Sequence, residues 1–321
     1  MTRHEFTRIA HALIVSGALA STGSSGAAAQ SRAYRSGVEL VPLTVTVTNR
    51  AGEYVKGLTG SDFTVLENGV PQPLAFFAAG TVPIDLALVL DTSASMARTM
   101  PLVRAAAKGL IQTLRQGDRG AVLTVSGSVA MPQGLTGNGD ALSAAIDALP
   151  ADGRTALYDA LYVALRELAR ERREHTEVRR QVVVVLSDGL DNASHVSADD
   201  VASTARRVGA SIYAIALSNS REPHHASPWD RVEARAAFEM QTLASESGGR
   251  MFRPTSAREL PQTYQAIANE LASQYDLGYV PAGPVGGGSF RRVAVRVPPA
   301  VRAVARTRSG YYAGGDSASG R

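Results

Sequence analysis

The stretch Ile84-Asp85-Leu86-Ala87-Leu88-Val89-Leu90-Asp91-Thr92-Ser93-Ala94-Ser95-Met96 decides the fold. Six of its first seven residues are apolar, which predicts a strand buried on both faces, as in a parallel sheet. The run stops at a carboxylate and two hydroxyls spaced Asp-x-Ser-x-Ser, and a helical pattern begins a few residues later. In an open α/β sheet such a point is the carboxyl end of a strand, where ligand sites are built. One carboxylate with two neutral hydroxyls is an all-oxygen set suited to a hard cation such as Mg²⁺.

Two later positions extend the pattern: Thr155 in Gly153-Arg154-Thr155, and Asp188 after the apolar run Val182-Val183-Val184-Val185-Leu186-Ser187. The triplet alone is weak, since Asp-x-Ser-x-Ser also arises as a helix cap. Five positions in order, two of them ending apolar strands, carry more. Together Asp91, Ser93, Ser95, Thr155 and Asp188 resemble the metal-ion-dependent adhesion site of von Willebrand factor type A domains. The resemblance implies that Ser93 and Ser95 bind the metal directly and that Asp91 and Asp188 act chiefly through water or hydrogen bonds. It also implies that Thr155 joins or leaves with ligand state. An ion so little neutralised by its own ligands seeks an anionic oxygen from outside, so the expected partner is a protein presenting Asp or Glu. Octahedral preference favours Mg²⁺ or Mn²⁺ over Ca²⁺.

Residues 82–274 alternate strand and helix. Val103, Ala106, Leu110 and Leu114 share a helical stripe, residues 121–125 form the next strand, and Val129-Ala130-Met131 folds back beside it. Asp140 is expected to cap a helix bearing Leu142, Ala145, Ile146 and Leu149, and a longer helix bearing Leu157, Leu161, Leu165 and Leu168 follows Thr155. Its end, residues 166–180, reads as a solvated helix end and loop. Strands are expected at 182–187, 212–217 and 250–252. This order matches the doubly wound, mostly parallel α/β sheet of the family, with the first and fourth strands adjacent and the crevice between them at the switch point. Asp191 and Asn192 could hold a second cation, but such residues more often cap the next turn. Asp85 and Asp159 read as caps or surface groups. Residues 218–231, with His224, His225 and Trp229, read as a mobile surface loop.

The period changes to two on either side. Leu43, Val45 and Val47 alternate with threonines before Asn49-Arg50-Ala51-Gly52 turns the chain. Phe63 and Val65 form a short strand closed by Asn68-Gly69, a hairpin signal, and Phe76 and Phe77 are expected to supply core. After Tyr275, Val293, Val295 and Val297 alternate with polar residues. These flanks resemble those of a secreted bacterial subfamily of von Willebrand A-type proteins. Residues 36–80 and 275–312 are each too short to bury a core alone, so they are expected to pair into one small β-sandwich-like module with the α/β domain inserted between them. Arg291, Arg292, Arg296, Arg302, Arg306 and Arg308 offer a basic face for an acidic polymer or anionic lipid, or a solvated strand face, the reading preferred at the modest net charge. The Gly/Ser-rich residues 313–321 read as a disordered tail.

Residues 1–29 read as a secretory signal peptide: Arg3 and Arg8, an apolar run from Ile9 to Ala20, and Ala27-Ala28-Ala29 as a cleavage site, with a retained anchor as the alternative. The mature chain is then expected to be periplasmic or secreted, with no transmembrane segment. Hydrophobic content of 45% suffices for a core, and a formal charge of +4 is too small to argue for nucleic acid. The absence of cysteine excludes disulfides, thiolate metal sites and cysteine catalysis. Enzyme signatures are weak. Ser93 stands where an aspartyl-phosphate hydrolase would want a second acid, Ser126-Gly127-Ser128 is no Gly-x-Ser-x-Gly, and His175 and His195 lack partner motifs. A metal-dependent binding module is therefore expected, with no catalytic residues. The alternatives are a Mg²⁺-dependent hydrolase of an anionic substrate and a structural envelope protein.

Overall fold

The computed structural model describes residues 40–150, 154–174, 177–187, 191, 193–217, 228–282 and 288–313. The expected signal segment, His175, Asp188, Asn192, His224, His225 and the tail beyond Ala313 lie outside the described residues, as does the side chain of Trp229.

In chain order the elements begin with strands β1 (Val41–Asn49), β2 (Thr64–Glu67), β3 (Val70–Gln72) and β4 (Leu74–Ala79). The α/β portion comes next as β5 (Ile84–Asp91), α1 (Met100–Ile111), β6 (Arg119–Val125), β7 (Val129–Thr136), α2 (Gly139–Asp147), α3 (Leu157–Glu174), β8 (Arg180–Ser187), α4 (Ala198–Val208), β9 (Ser211–Ala216), α5 (Pro228–Glu246), β10 (Met251–Phe252) and α6 (Leu260–Ala272). The chain closes with β11 (Tyr275–Tyr279), β12 (Phe290–Arg296), β13 (Ala303–Arg306) and β14 (Gly310–Tyr312).

The apolar run at β5 lies inside a six-stranded sheet of order β10-β9-β8-β5-β6-β7, parallel except for β7. Its alternate residues enter two cores. Leu86, Leu88 and Leu90 pack with α1, α2 and α6 on one face, and Ala87 and Val89 pack with α3, α4 and α5 on the other. A strand with helices on both faces has no polar side to show, so its sequence carries no alternation. This is the expected doubly wound fold, with β5 and β8 adjacent.

The flanking segments build two further four-stranded sheets, β13-β1-β11-β4 and β14-β12-β2-β3. Each draws strands from both ends of the chain: β1 pairs with β11 and β13, and β2 with β12. Val41, Leu43, Val45 and Val47 from one sheet and Val65, Val293 and Val295 from the other join one core, the arrangement of a sandwich. Asn68 (φ 49°) and Gly69 (φ 85°) turn the β2–β3 hairpin, a conformation with two positive φ angles that Asn-Gly tolerates. Phe77 packs near the rings of Phe63 and Tyr275, whereas Phe76 is outside that cluster.

Several sequence expectations need correction. Asn138, not Asp140, caps α2, its side chain accepting from the N–H groups of Asp140 and Ala141. Asp85 is buried rather than a surface cap, held by Arg119 at 2.9 Å, Arg179 at 2.7 Å and Gln181 at 3.2 Å. Burial opposes its charge, but those donors keep its carboxyl below the ordinary range. The charged run before β8 is therefore not wholly solvated: Arg179 serves Asp85, and Arg180 is a buried strand residue. The polar loop expected to reach Arg231 ends earlier, because α5 starts at Pro228. Ala313, read as tail, packs in the sandwich core. The six C-terminal arginines divide. Arg291 reaches Glu67 in the sandwich interior, Arg306 reaches buried Glu270, and Arg308 is buried, while Arg292, Arg296 and Arg302 are exposed.

Candidate metal centre

Leu90 of β5 lies opposite Leu186 of β8, so the Asp-x-Ser-x-Ser loop and Ser187 emerge side by side at the carboxyl edge of the sheet. From this point the strand order runs one way through β6 and β7 and the other through β9 and β10. That makes it a topological switch point, where adjacent loops part and leave a crevice.

Asp91 is fully buried, and both of its carboxylate oxygens accept hydrogen bonds. Oδ1 takes the Ser93 N–H at 2.9 Å, and Oδ2 takes the Ser187 hydroxyl at 2.7 Å. The Ser93 and Ser95 hydroxyls lie 3.0 Å apart. Thr92, between them and the strand, donates both its N–H and its hydroxyl to the Val125 carbonyl at the end of β6, at 3.0 and 3.2 Å. Met96 is anchored in the core below. The loop is thus fixed at both ends, with Ser93 buried and Ser95 exposed.

Thr155 is buried in the loop before α3. The Gly127 N–H donates to the carbonyl of neighbouring Arg154 at 2.5 Å, tying this loop to the β6–β7 turn. Asp191 caps α3, accepting the Leu157 N–H at 2.9 Å and the Ser194 hydroxyl at 2.7 Å. Asp159 in the first turn accepts the N–H groups of His195 and Val196, at 3.0 and 2.9 Å, and lies 3.1 Å from the His195 ring. Partial burial opposes its charge, but those donors hold its carboxyl below the ordinary range. The Thr155 loop is thereby fastened to the segment after β8. Asp191 acts as a helix cap, the commoner role for such a residue, and Asp159 as a clamp on the next loop.

Of the expected set, Asp91, Ser93 and Ser95 lie together in one hydrogen-bonded loop. Thr155 sits on the neighbouring loop of the same edge, and Asp188 falls outside the described residues. Ser187, which orients Asp91, is not singled out by the sequence pattern. Its only signal is a hydroxyl at the end of the strand beside β5. Among the described residues no three His, Cys, Asp or Glu side chains converge. The donors are instead neutral hydroxyls above one carboxylate, a set that fits a hard divalent cation rather than a soft or nitrogen-preferring metal.

Fold and crevice define a doubly wound α/β protein with an oxygen-lined loop at its switch point. A model of the von Willebrand factor type A domain matches residues 85–266, and the chain belongs to that family. An uncharacterized protein of Synechocystis is 33% identical over 111 residues, 34% of this chain and 26% of its own. The chain therefore spans about a quarter of the length of that curated relative. Among solved structures, proximal thread matrix protein 1 from the mussel byssus is similar with a TM-score of 0.50 and 22% identity, over 64% of this chain and 51% of that one. A von Willebrand factor type A protein from Catenulispora acidiphila gives a TM-score of 0.49 and 13% identity, over 86% and 73%.

Proposed function

We propose that the chain is an extracytoplasmic protein-binding module, an adhesion or scaffold component rather than an enzyme. In this reading Ser93 and Ser95 hold Mg²⁺ directly, Asp91, Thr155 and Asp188 complete the site, and a partner protein supplies an Asp or Glu carboxylate. The observation that carries it is the pair of hydroxyls 3.0 Å apart over a buried carboxylate that Ser93 and Ser187 hold in place. When bound, the cation supplies positive charge and an open coordination position. The chain's own residues fix the donors: Ser187 and the Ser93 N–H orient Asp91, and Thr92 anchors the loop. Residues 1–29 would export the chain and be cleaved near Ala29. Residues 82–274 would form the binding domain, on a base made by residues 36–80 and 275–312.

Titration calorimetry tests the site. By the resemblance Asp91 acts through water, so Asp91→Asn should weaken Mg²⁺ and Mn²⁺ binding about 10–100-fold, the range for outer partners of a metal. Thermal unfolding of the metal-free protein should change little, because asparagine has the same shape, keeps an acceptor for the Ser93 N–H and can donate its amide to the Ser187 hydroxyl. Unchanged metal affinity would overturn the assignment. A second variant separates metal from partner. Thr155→Ala should leave Mg²⁺ affinity within about two-fold and abolish Mg²⁺-dependent, chelator-released capture of envelope proteins. Equal loss of metal and partner binding would mean that Thr155 responds to the metal alone.

A further inference from the structure

Strand β12 alternates about the plane of its sheet. Arg291, Val293 and Val295 turn inward, Arg291 donating to Glu67 at 2.7 Å and the valines joining the sandwich core. Phe290, Arg292, Ala294 and Arg296 face outward and are exposed. Register fixes their neighbours: Tyr312 beside Phe290, Gly310 beside Arg292, Leu66 beside Ala294, Thr64 beside Arg296, and Pro71 beyond Leu66. None of these positions is acidic.

The end of α4 adds to this face. The guanidinium of Arg206 lies 5.6 Å from the ring centroid of Phe290, and that of Arg207 lies 4.9 Å from the ring centroid of Tyr312. Arg206 is paired with Glu246 at 2.7 Å. Arg302, exposed in a left-handed conformation (φ 51°), ends the turn that leads from β12 into β13. Among the described residues Arg207, Arg292, Arg296 and Arg302 have no acidic partner. Overall composition does not explain this, since 33 Lys and Arg are nearly matched by 29 Asp and Glu. Some exposed arginines find partners, Arg170 meeting Glu167, Glu171 and Glu174 and Arg235 meeting Glu239, while Arg50, Arg98 and Arg258 stand singly among the described residues; Arg292 and Arg296 differ in sharing one outward strand face. Opposite charges across a sheet stabilise it, and the outward positions of β12 and their register neighbours supply no acid to Arg292 and Arg296, which points to an anion from outside.

The form of the face narrows the anion. The rings of Phe290 and Tyr312 are overlaid by guanidiniums, which leaves little room for a sugar to stack on them. What is offered is a spread of planar guanidinium forks, on a strand segment about 20 Å long and on a helix end beside it. Such forks match phosphate oxygens in pairs. Phe290, 38% exposed, adds an apolar edge suited to the boundary beneath headgroups. A two-dimensional spread of cations with an apolar edge fits a surface of many phosphates better than a single extended chain. We propose that this face docks on an anionic phospholipid surface through the headgroup phosphates. The sandwich joins the central sheet where β4 leads into β5, at the amino edge, while the candidate metal loop lies at the carboxyl edge. Docking on the sandwich therefore leaves the crevice clear for a partner.

Co-sedimentation of the full chain with vesicles tests this, using equal parts phosphatidylcholine and phosphatidylglycerol against phosphatidylcholine alone. Each arginine at an anionic surface contributes about five-fold in partitioning, so Arg292→Gln/Arg296→Gln should bind the mixed vesicles about 25-fold more weakly than the natural sequence. Arg292→Lys/Arg296→Lys should retain most of the binding, Arg170→Gln should retain all of it, and added salt should weaken it. Wild-type binding by the double glutamine variant would overturn the proposal. So would an equal loss on both vesicle types, or binding to the acidic polysaccharide alginate with none to the mixed vesicles.

Discussion

Glu270→Ala is expected to destabilise the protein by about 3–5 kcal/mol, the cost of removing one partner from a buried charge network. Glu270 lies on α6, fully buried, where the helix meets the sandwich. Its carboxylate accepts from Tyr213 of β9 at 2.8 Å, Thr46 of β1 at 3.4 Å and Tyr54 at 3.3 Å, and pairs with Arg306 of β13. Arg250 lies 3.7 Å away. One side chain thus joins the central sheet, the last helix and two strands of the sandwich. Alanine would leave the buried Tyr213 hydroxyl without its acceptor, a loss that water cannot make good, and would take the counter-charge from half-buried Arg306. Glu270→Gln keeps the acceptor and should cost less. Urea denaturation at neutral pH measures both. A loss below about 1 kcal/mol for the alanine variant would show that the network is marginal to the fold.

Such junction residues are the part of the molecule that sequence does not disclose. The sheet is legible because its strands are apolar on both faces and its helices repeat on one stripe, as with Leu157, Leu161, Leu165 and Leu168. The sandwich is legible as alternation at Leu43, Val45 and Val47 and at Val293 and Val295, and as an expectation that two short flanks need each other. The motif loop is legible because its donors are local: Asp91 accepts from a residue two positions on. Partners far apart in the chain leave no such trace. Asp85 reads as a surface group until Arg119 and Arg179 are seen to converge on it. Nothing in the pattern around Glu270 marks it, since its partner Thr46 is 224 positions away. The basic strand face is visible in sequence as composition only. Register and the inward turn of Arg291, Arg306 and Arg308 are needed to separate the arginines that hold the fold from those that face solvent.

The second large effect concerns Asp276 on β11, at the same junction, and it is a dependence on pH. Asp276 Oδ1 accepts from Thr44 at 3.2 Å, but buried Oδ2 has no hydrogen-bond partner and lies 3.8 Å from Arg180 Nε. Arg180 is itself occupied by the Leu271 carbonyl at 2.8 Å and the Gln274 side chain at 3.0 Å. Burial raises the Asp276 carboxyl from 3.8 to about 6, and the nearby charges of Arg180 and Arg115 and the Thr44 hydroxyl only partly offset it. The folded state therefore holds this proton more tightly than the unfolded chain does. The resulting stability is fully present below about pH 4 and is lost as pH rises through about 6, by about 3 kcal/mol in all. Asparagine mimics the neutral acid at every pH. Between about pH 4 and pH 7.5 the stability of Asp276→Asn should therefore rise by about 2–3 kcal/mol relative to the natural protein. Glu67 and Asp85, whose carboxyls are depressed, impose the opposite trend on both proteins and cancel in that difference. Urea unfolding of the pair across this range reads it directly. A stability difference that stays constant with pH would mean that Asp276 remains ionised in the fold, with Arg180 neutralising it despite the missing hydrogen bond.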